Sequence, residues 1–206
     1  PEMLEAVRSY MLRVETDVLL KVNTGDHEKK SELREFLYDL ASTSTRLIVE
    51  EEQLQYPSAG PLTFQVKART KNSEIYFSGI PGGHEFNSLI LAILQVAGGD
   101  LKLDDSIEQY FSQLSVPLSF KVYVSLECEN CPEVVQTLNK FSVLSELVST
   151  ETLDGGLFQD EVQALGIQGV PTVFLNGDLF HVGRLNLATM MGQLTERYPP
   201  TKNDSD

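Results

Sequence analysis

The sequence has no tryptophan, two cysteines and three histidines, and it is short of positive charge: 16 Lys and Arg stand against 30 Asp and Glu, a formal charge of −14. Each shortage excludes something. A field of that sign repels phosphate backbones and anionic lipid, which sets nucleic acid and membrane surfaces aside as partners. Long apolar runs are missing too. The best, Leu89–Ala97, falls far short of the about 20 residues needed to span a bilayer. Pro1–Ala6 is acidic and mixed, without a signal-peptide pattern, so the expected location is cytoplasmic. Two cysteines cannot form the spread-out framework of a secreted scaffold, and singly scattered histidines leave a four-ligand zinc site without donors. What is present is ordinary globular material. Hydrophobic residues make up 41% of 206, enough for one large domain or two modest ones.

The two cysteines are Cys128 and Cys131, in the order Cys-Glu-Asn-Cys. A bridge across so short a loop stabilises little by loop closure, which leaves redox chemistry, a partial metal site or an incidental pair. Their setting is a strand followed by a helix. Leu118, Phe120, Val122 and Val124 alternate with polar neighbours, and Val134, Leu138 and Phe141 beyond the dithiol share one helical face. Pro132 is tolerated in the first turn of that helix. There follow a strand near Val148–Leu153, a turn at Asp154-Gly155-Gly156, a short helix from Phe158 to Leu165, and strand Thr172–Leu175 opened by Val170-Pro171. Asn176-Gly177 makes a hairpin, with Leu179–Val182 as the return strand and a last helix after it. The order β, α, β, α, β, β, α is that of a thioredoxin or glutaredoxin fold.

The first half repeats the plan more faintly. It has no clear short helix before Pro61, and Asn23–Glu28 stands where the dithiol should be. The expected architecture is therefore α/β, two tandem thioredoxin/glutaredoxin-like folds packed as one unit. Residues 1–100 form a scaffold copy without CxxC, residues 101–198 the copy with it, and residues 199–206 a flexible tail.

CxxC at a strand-to-helix junction has a chemical rationale. Unpaired amides at the helix start favour an anion, so Cys128 is the nucleophilic thiol; Cys131, one turn in, is placed to resolve the mixed disulfide. In this fold the bond before Pro171 is typically cis and packs on the dithiol, leaving the backbone of Val170 to pair with an extended peptide. The plain alternative is a trans proline opening a strand. Glu127 stands where thioredoxins carry Trp, and Val122 where they bury an aspartate, so a proton acceptor must come from elsewhere. Glu85 is the candidate, against the plain reading that it complements its own helix dipole. Gly82-Gly83 and Gly155-Gly156 read as turns outside a strand–loop–helix nucleotide motif, so no flavin or nicotinamide is expected on this chain.

Cys128-Glu129-Asn130-Cys131-Pro132-Glu133-Val134-Val135-Gln136, with Ser142-Val143-Leu144, closely resembles the N-terminal domain of the alkyl hydroperoxide reductase flavoprotein subunit. Asp154-Gly155-Gly156, Gly169-Val170-Pro171, Asn176-Gly177 and Gly183-Arg184 continue the resemblance, as does Gly83-His84-Glu85-Phe86 in the first half. It implies one working dithiol, Cys128 and Cys131, which takes electrons from a flavin reductase domain in cis or trans, the bearer of FAD and NADH. The electrons pass to the disulfide of a peroxiredoxin. It also implies that Glu85 sits near the dithiol across the interface of the two copies. Two other readings stand beside it: a general protein disulfide oxidoreductase or isomerase of tandem thioredoxin type, and a non-catalytic module that holds a client in the thioredoxin groove.

Overall fold

A computed structural model describes residues 2–201, so residues 202–206 of the expected tail lie outside the described residues. The first half contains α1 (Glu2–Met11), β1 (Val18–Val22), α2 (Lys30–Ala41), β2 (Leu47–Glu51), β3 (Thr63–Ala68), β4 (Glu74–Ser78), a 3-10 turn at Gly83–Glu85 and α3 (Phe86–Val96). The second contains α4 (Asp105–Ser112), β5 (Leu118–Val124), α5 (Cys131–Leu144), β6 (Val148–Asp154), α6 (Gln159–Ala164), β7 (Thr172–Leu175), β8 (Asp178–Val182) and α7 (Leu187–Arg197). The helical period that suggests Met3–Val14 stops early, because the amides of Arg13 and Val14 bond three residues back and tighten the last turn. No helix among the described residues is long and apolar enough to cross a membrane.

Each half forms four strands in the same internal order, and the two sets join into one sheet, β2-β1-β3-β4-β6-β5-β7-β8. The seam is a parallel pairing of β4 with β6, running from Glu74 opposite Ser149 to Ser78 opposite Leu153. A seam inside a sheet leaves no strand edge open between the halves. Alternation then gives the sheet two unlike faces. One carries Phe64, Ile75, Phe77, Phe120 and Val122, buried beneath Leu89 and Ile93 of α3 and Val134, Leu138 and Phe141 of α5. Each such side chain contributes about 1.5–3 kcal/mol by leaving water.

The other face is polar at the seam. Glu151 is almost fully buried there and accepts hydrogen bonds from Tyr56 Oη (2.9 Å), Ser58 Oγ (3.1 Å) and Ser78 Oγ (2.7 Å), with Lys121 Nζ at 3.6 Å. A buried charge is tolerated only when its lone pairs are taken, and three of these partners come from the first half. Tyr56 stacks on Tyr76 with centroids 4.0 Å apart. Residues 52–62, where the first half lacks a counterpart of α6, supply Tyr56 and Ser58 instead. Lys71 Nζ donates to Val143 O (2.9 Å) and Thr201 Oγ1 to Gln113 O (2.9 Å), the latter holding the start of the tail.

Candidate redox site

β5 runs into a turn closed by the Cys128 amide donating to Ser125 O at 3.0 Å, and α5 begins at Cys131. Cys128 and Cys131 are joined by a disulfide with Cα atoms 5.5 Å apart. Asn130 precedes the helix without a side-chain cap, so the first-turn amides remain available to stabilise negative charge on sulfur. Burial separates the two sulfurs. Cys131 has no exposed surface, whereas Cys128 is half-buried and is the sulfur that an incoming thiolate can reach. The flanking carboxylates of Glu127 and Glu129 are exposed, so water screens their opposition to a thiolate. The Val170–Pro171 bond is cis, and the Val170 carbonyl oxygen lies 3.9 Å from Cys128 Sγ. Among the described residues neither the amide nor the carbonyl of Val170 makes a backbone hydrogen bond.

A loop of the first half docks beside this turn. His84 donates its amide to Leu126 O at 2.9 Å, two residues before Cys128. Gly83 has φ +54°, and a Cβ there would meet Leu126 O at 2.5 Å, so only glycine permits the approach. The next residue but one, Glu85, is driven inward to zero exposure, on a turn that packs against α5. Both its carboxylate oxygens lack a hydrogen-bond partner among the described residues, and it makes no capping bond to α3. Burial without a counter-charge pushes its pKa up to about 7, against an opposing, smaller effect of the nearby Ser88 hydroxyl. Gln136 Nε2 of α5 donates to Ser88 Oγ at 3.2 Å and ties the two halves together at this point.

The first half keeps the outline of the same site. α2 begins at Lys30 as α5 begins at Cys131, and the Lys30 ammonium, 3% exposed, donates to Asn23 O and, at 2.7 Å, to Pro61 O. Glu51 lies 3.8 Å away and supports the charge, while burial pulls the Lys30 pKa down. Lys30 thus closes with a cation the place that a sulfur holds in the second half. The Gly60–Pro61 bond, unlike Val170–Pro171, is trans. His27 lies in a local turn and bonds Lys29 N, and His181 lies in β8 and bonds Arg184 O. Gly155-Gly156 does lie between a strand and a helix, contrary to expectation. Its amides are nevertheless spent on Val124 O and Asp154 Oδ1, and those of Leu157 and Phe158 on Asp154 O, so the loop itself offers no phosphate cradle.

Sequence reasoning missed three residues: Lys30, Glu151 and Thr152. The signal for the last was the alternation of β6, which sets Thr152 and Asp154 on the helix-covered face.

Fold and site together define a tandem thioredoxin-fold unit of the thiol-disulfide oxidoreductase class. Residues 118–196 match a family model described as a thioredoxin domain. The chain is 38% identical over 94% of its length to a protein of Ferdinandcohnia aciditolerans named NADH dehydrogenase, of which it covers 37%. It is 35% identical over 91% of its length to the F subunit of alkyl hydroperoxide reductase (AhpF) of Pseudomonas putida, of which it covers 36%. The solved NTD_N/C domain of alkylhydroperoxide reductase AhpF from Enterococcus faecalis matches with a TM-score of 0.85 and 26% identity, over 94% of this chain and 99% of that one. In sequence and in fold the chain is similar to the tandem thioredoxin-fold N-terminal domain of the alkyl hydroperoxide reductase AhpF. It spans a little over a third of the length of the curated relatives it matches.

Proposed function

We propose that Cys128 and Cys131 form the working dithiol of an electron-transfer module that serves hydroperoxide reduction. Residues 101–198 do the chemistry, and residues 1–100 are a scaffold without a redox step. Electrons arrive from the dithiol of a flavin reductase domain, in cis or trans, which carries FAD and uses NADH. They leave to the disulfide of a peroxiredoxin, in the cytoplasm. The reading rests on one observation above the others: a helix-start disulfide with one reachable and one covered sulfur, beside a free Val170 backbone. The names of relatives such as AhpF of Pseudomonas putida support the choice of partners.

In the reduced state the Cys128 thiolate attacks one sulfur of the partner disulfide; a new bond forms to Cys128 and the other partner sulfur leaves as thiolate. Cys131 then gives its proton to Glu85 and attacks Cys128 Sγ, so the Cys128–Cys131 bond forms as the mixed disulfide breaks. The partner gains two electrons and the dithiol loses them. Val170 and Pro171 hold the partner's extended segment during both steps. A Cys131→Ser variant should accumulate a covalent adduct with the peroxiredoxin, and a Cys128→Ser variant none. Brief alkylation of the reduced protein should label Cys128 first. Preferential labelling of Cys131, or adduct formation only through it, overturns the assignment.

A further inference from the structure

Glu85 lines a small, partly open cavity together with residues the electron-transfer steps do not use. The cavity, about 10 Å³, is lined by Ser78, Gly79 and Pro81 from the first half and by Leu126, Thr152 and Asp154 from the second. That volume is about what one water needs. Three buried oxygens around it have no hydrogen-bond partner among the described residues: both carboxylate oxygens of Glu85, and Oγ1 of Thr152. Thr152 is 4% exposed and Glu85 has no exposed surface, so bulk solvent does not satisfy them. Orphaned polar atoms facing a water-sized space are the usual signature of an internal water.

Asp154 lies two residues beyond Thr152 on the same face of β6, at the rim rather than in the interior. Its Oδ1 accepts the Gly156 amide at 2.9 Å, which leaves the other carboxylate oxygen free. Burial raises its pKa above the ordinary aspartate value, which favours a group that takes up and releases protons. The remaining charged groups stay clear. Glu151 and Lys121 occupy the opposite sheet face, α3 has no titratable residue, and α5 offers Cys131 at its start with Glu133 and Lys140 further along. His84, next to Glu85, is turned to solvent.

We propose that this cavity holds a single water, bonded to Glu85 and Thr152, that carries protons between the Glu85 carboxyl and solvent at Asp154. The inference rests on the reading of Glu85 as acceptor of the Cys131 proton. Without an exit, that proton stays on Glu85 until the disulfide is next reduced and the Cys131 thiolate takes it back; an exit lets it reach solvent as soon as the disulfide forms. With the relay, the proton passes from Glu85 to the water, the water's own proton passes to Asp154, and Asp154 releases it.

The test is one turnover of the reduced protein with the aromatic disulfide 5,5′-dithiobis(2-nitrobenzoate), in weak buffer at about pH 8 with a pH-indicator dye. Absorbance reports the first and second nitrothiobenzoate released, and the dye reports protons reaching bulk. In the wild type the proton should appear together with the second thiolate. In Thr152→Val and Asp154→Asn it should lag the second thiolate at least tenfold, and Thr152→Ser should restore synchrony. Asparagine can still accept the Gly156 amide, so the Asp154 variant tests the relay without removing that bond. Synchronous proton release in both variants overturns the relay and leaves the role of Glu85 standing. A Glu85→Gln protein that releases the second thiolate as fast as wild type overturns that role itself, and the relay with it.

Discussion

Glu85 should make the stability of this protein depend on pH in a way that one substitution removes. Its carboxyl titrates near 7 in the folded chain against 4.5 for the free group. The folded state therefore holds a proton that the unfolded state has lost between those two values, and stability falls as pH rises through that window. Below about pH 4.5 the group costs nothing extra; above about pH 8 the full penalty of an ionised, unpaired carboxylate is present. The two pKa values convert to about 3 kcal/mol. Glu85→Gln keeps the shape and cannot ionise. Its stability relative to wild type should climb by about 3 kcal/mol from pH 4.5 to pH 8, whatever constant offset the amide brings. Comparing the two proteins at each pH cancels every other titrating group. Urea unfolding of the oxidised proteins at four pH values measures the difference directly. In thermal unfolding the gap should widen by roughly 6–12 °C for a chain of this size. Parallel stability curves across the range would refute the argument, because they would mean that Glu85 is solvated or paired in solution.

Three further outcomes follow from particular contacts. Lys30→Met should cost about 2–4 kcal/mol in urea unfolding, because the carbonyls of Asn23 and Pro61 lose their donor and Glu51 its neighbour; an unchanged midpoint would mean that water replaces the ammonium freely. Gly83→Ala should destabilise by about 2–3 kcal/mol, since the new Cβ meets the Leu126 carbonyl at a positive φ. It should also change the alkylation rate of Cys128, two residues beyond that carbonyl, and normal kinetics with normal stability would sink the packing argument. A fragment of residues 104–206 should self-associate or unfold, because losing β4 turns β6 into an open edge and uncovers α5; size-exclusion chromatography reads this, and a stable monomer that transfers electrons as well as the whole chain would make the first half dispensable.

The sequence by itself determined the local elements and the chemistry of the dithiol. Alternation over Leu118–Val124 and helical spacing over Val134, Leu138 and Phe141 are short-range signals, and the observed β5 and α5 follow them because period alone decides which face is apolar. The repeat of that order was also legible, as was Cys128 ahead of a helix start. Only the tertiary structure decided how the halves join. Nothing in the residues of β4 or β6 names the other as its neighbour, because parallel pairing is chosen by the packing of α3 on α5 and by the buried partners of Glu151. The same holds for the charged groups. Lys30 and Glu151 read in sequence as ordinary surface residues, and Glu85 as either a helix-start acid or, by the resemblance, a proton acceptor, since a charge does not encode its own solvation. Chain segments far from each in sequence close over it and decide the outcome. The Lys30 ammonium is given two carbonyls, Glu151 three hydroxyls, and Glu85 no partner at all among the described residues.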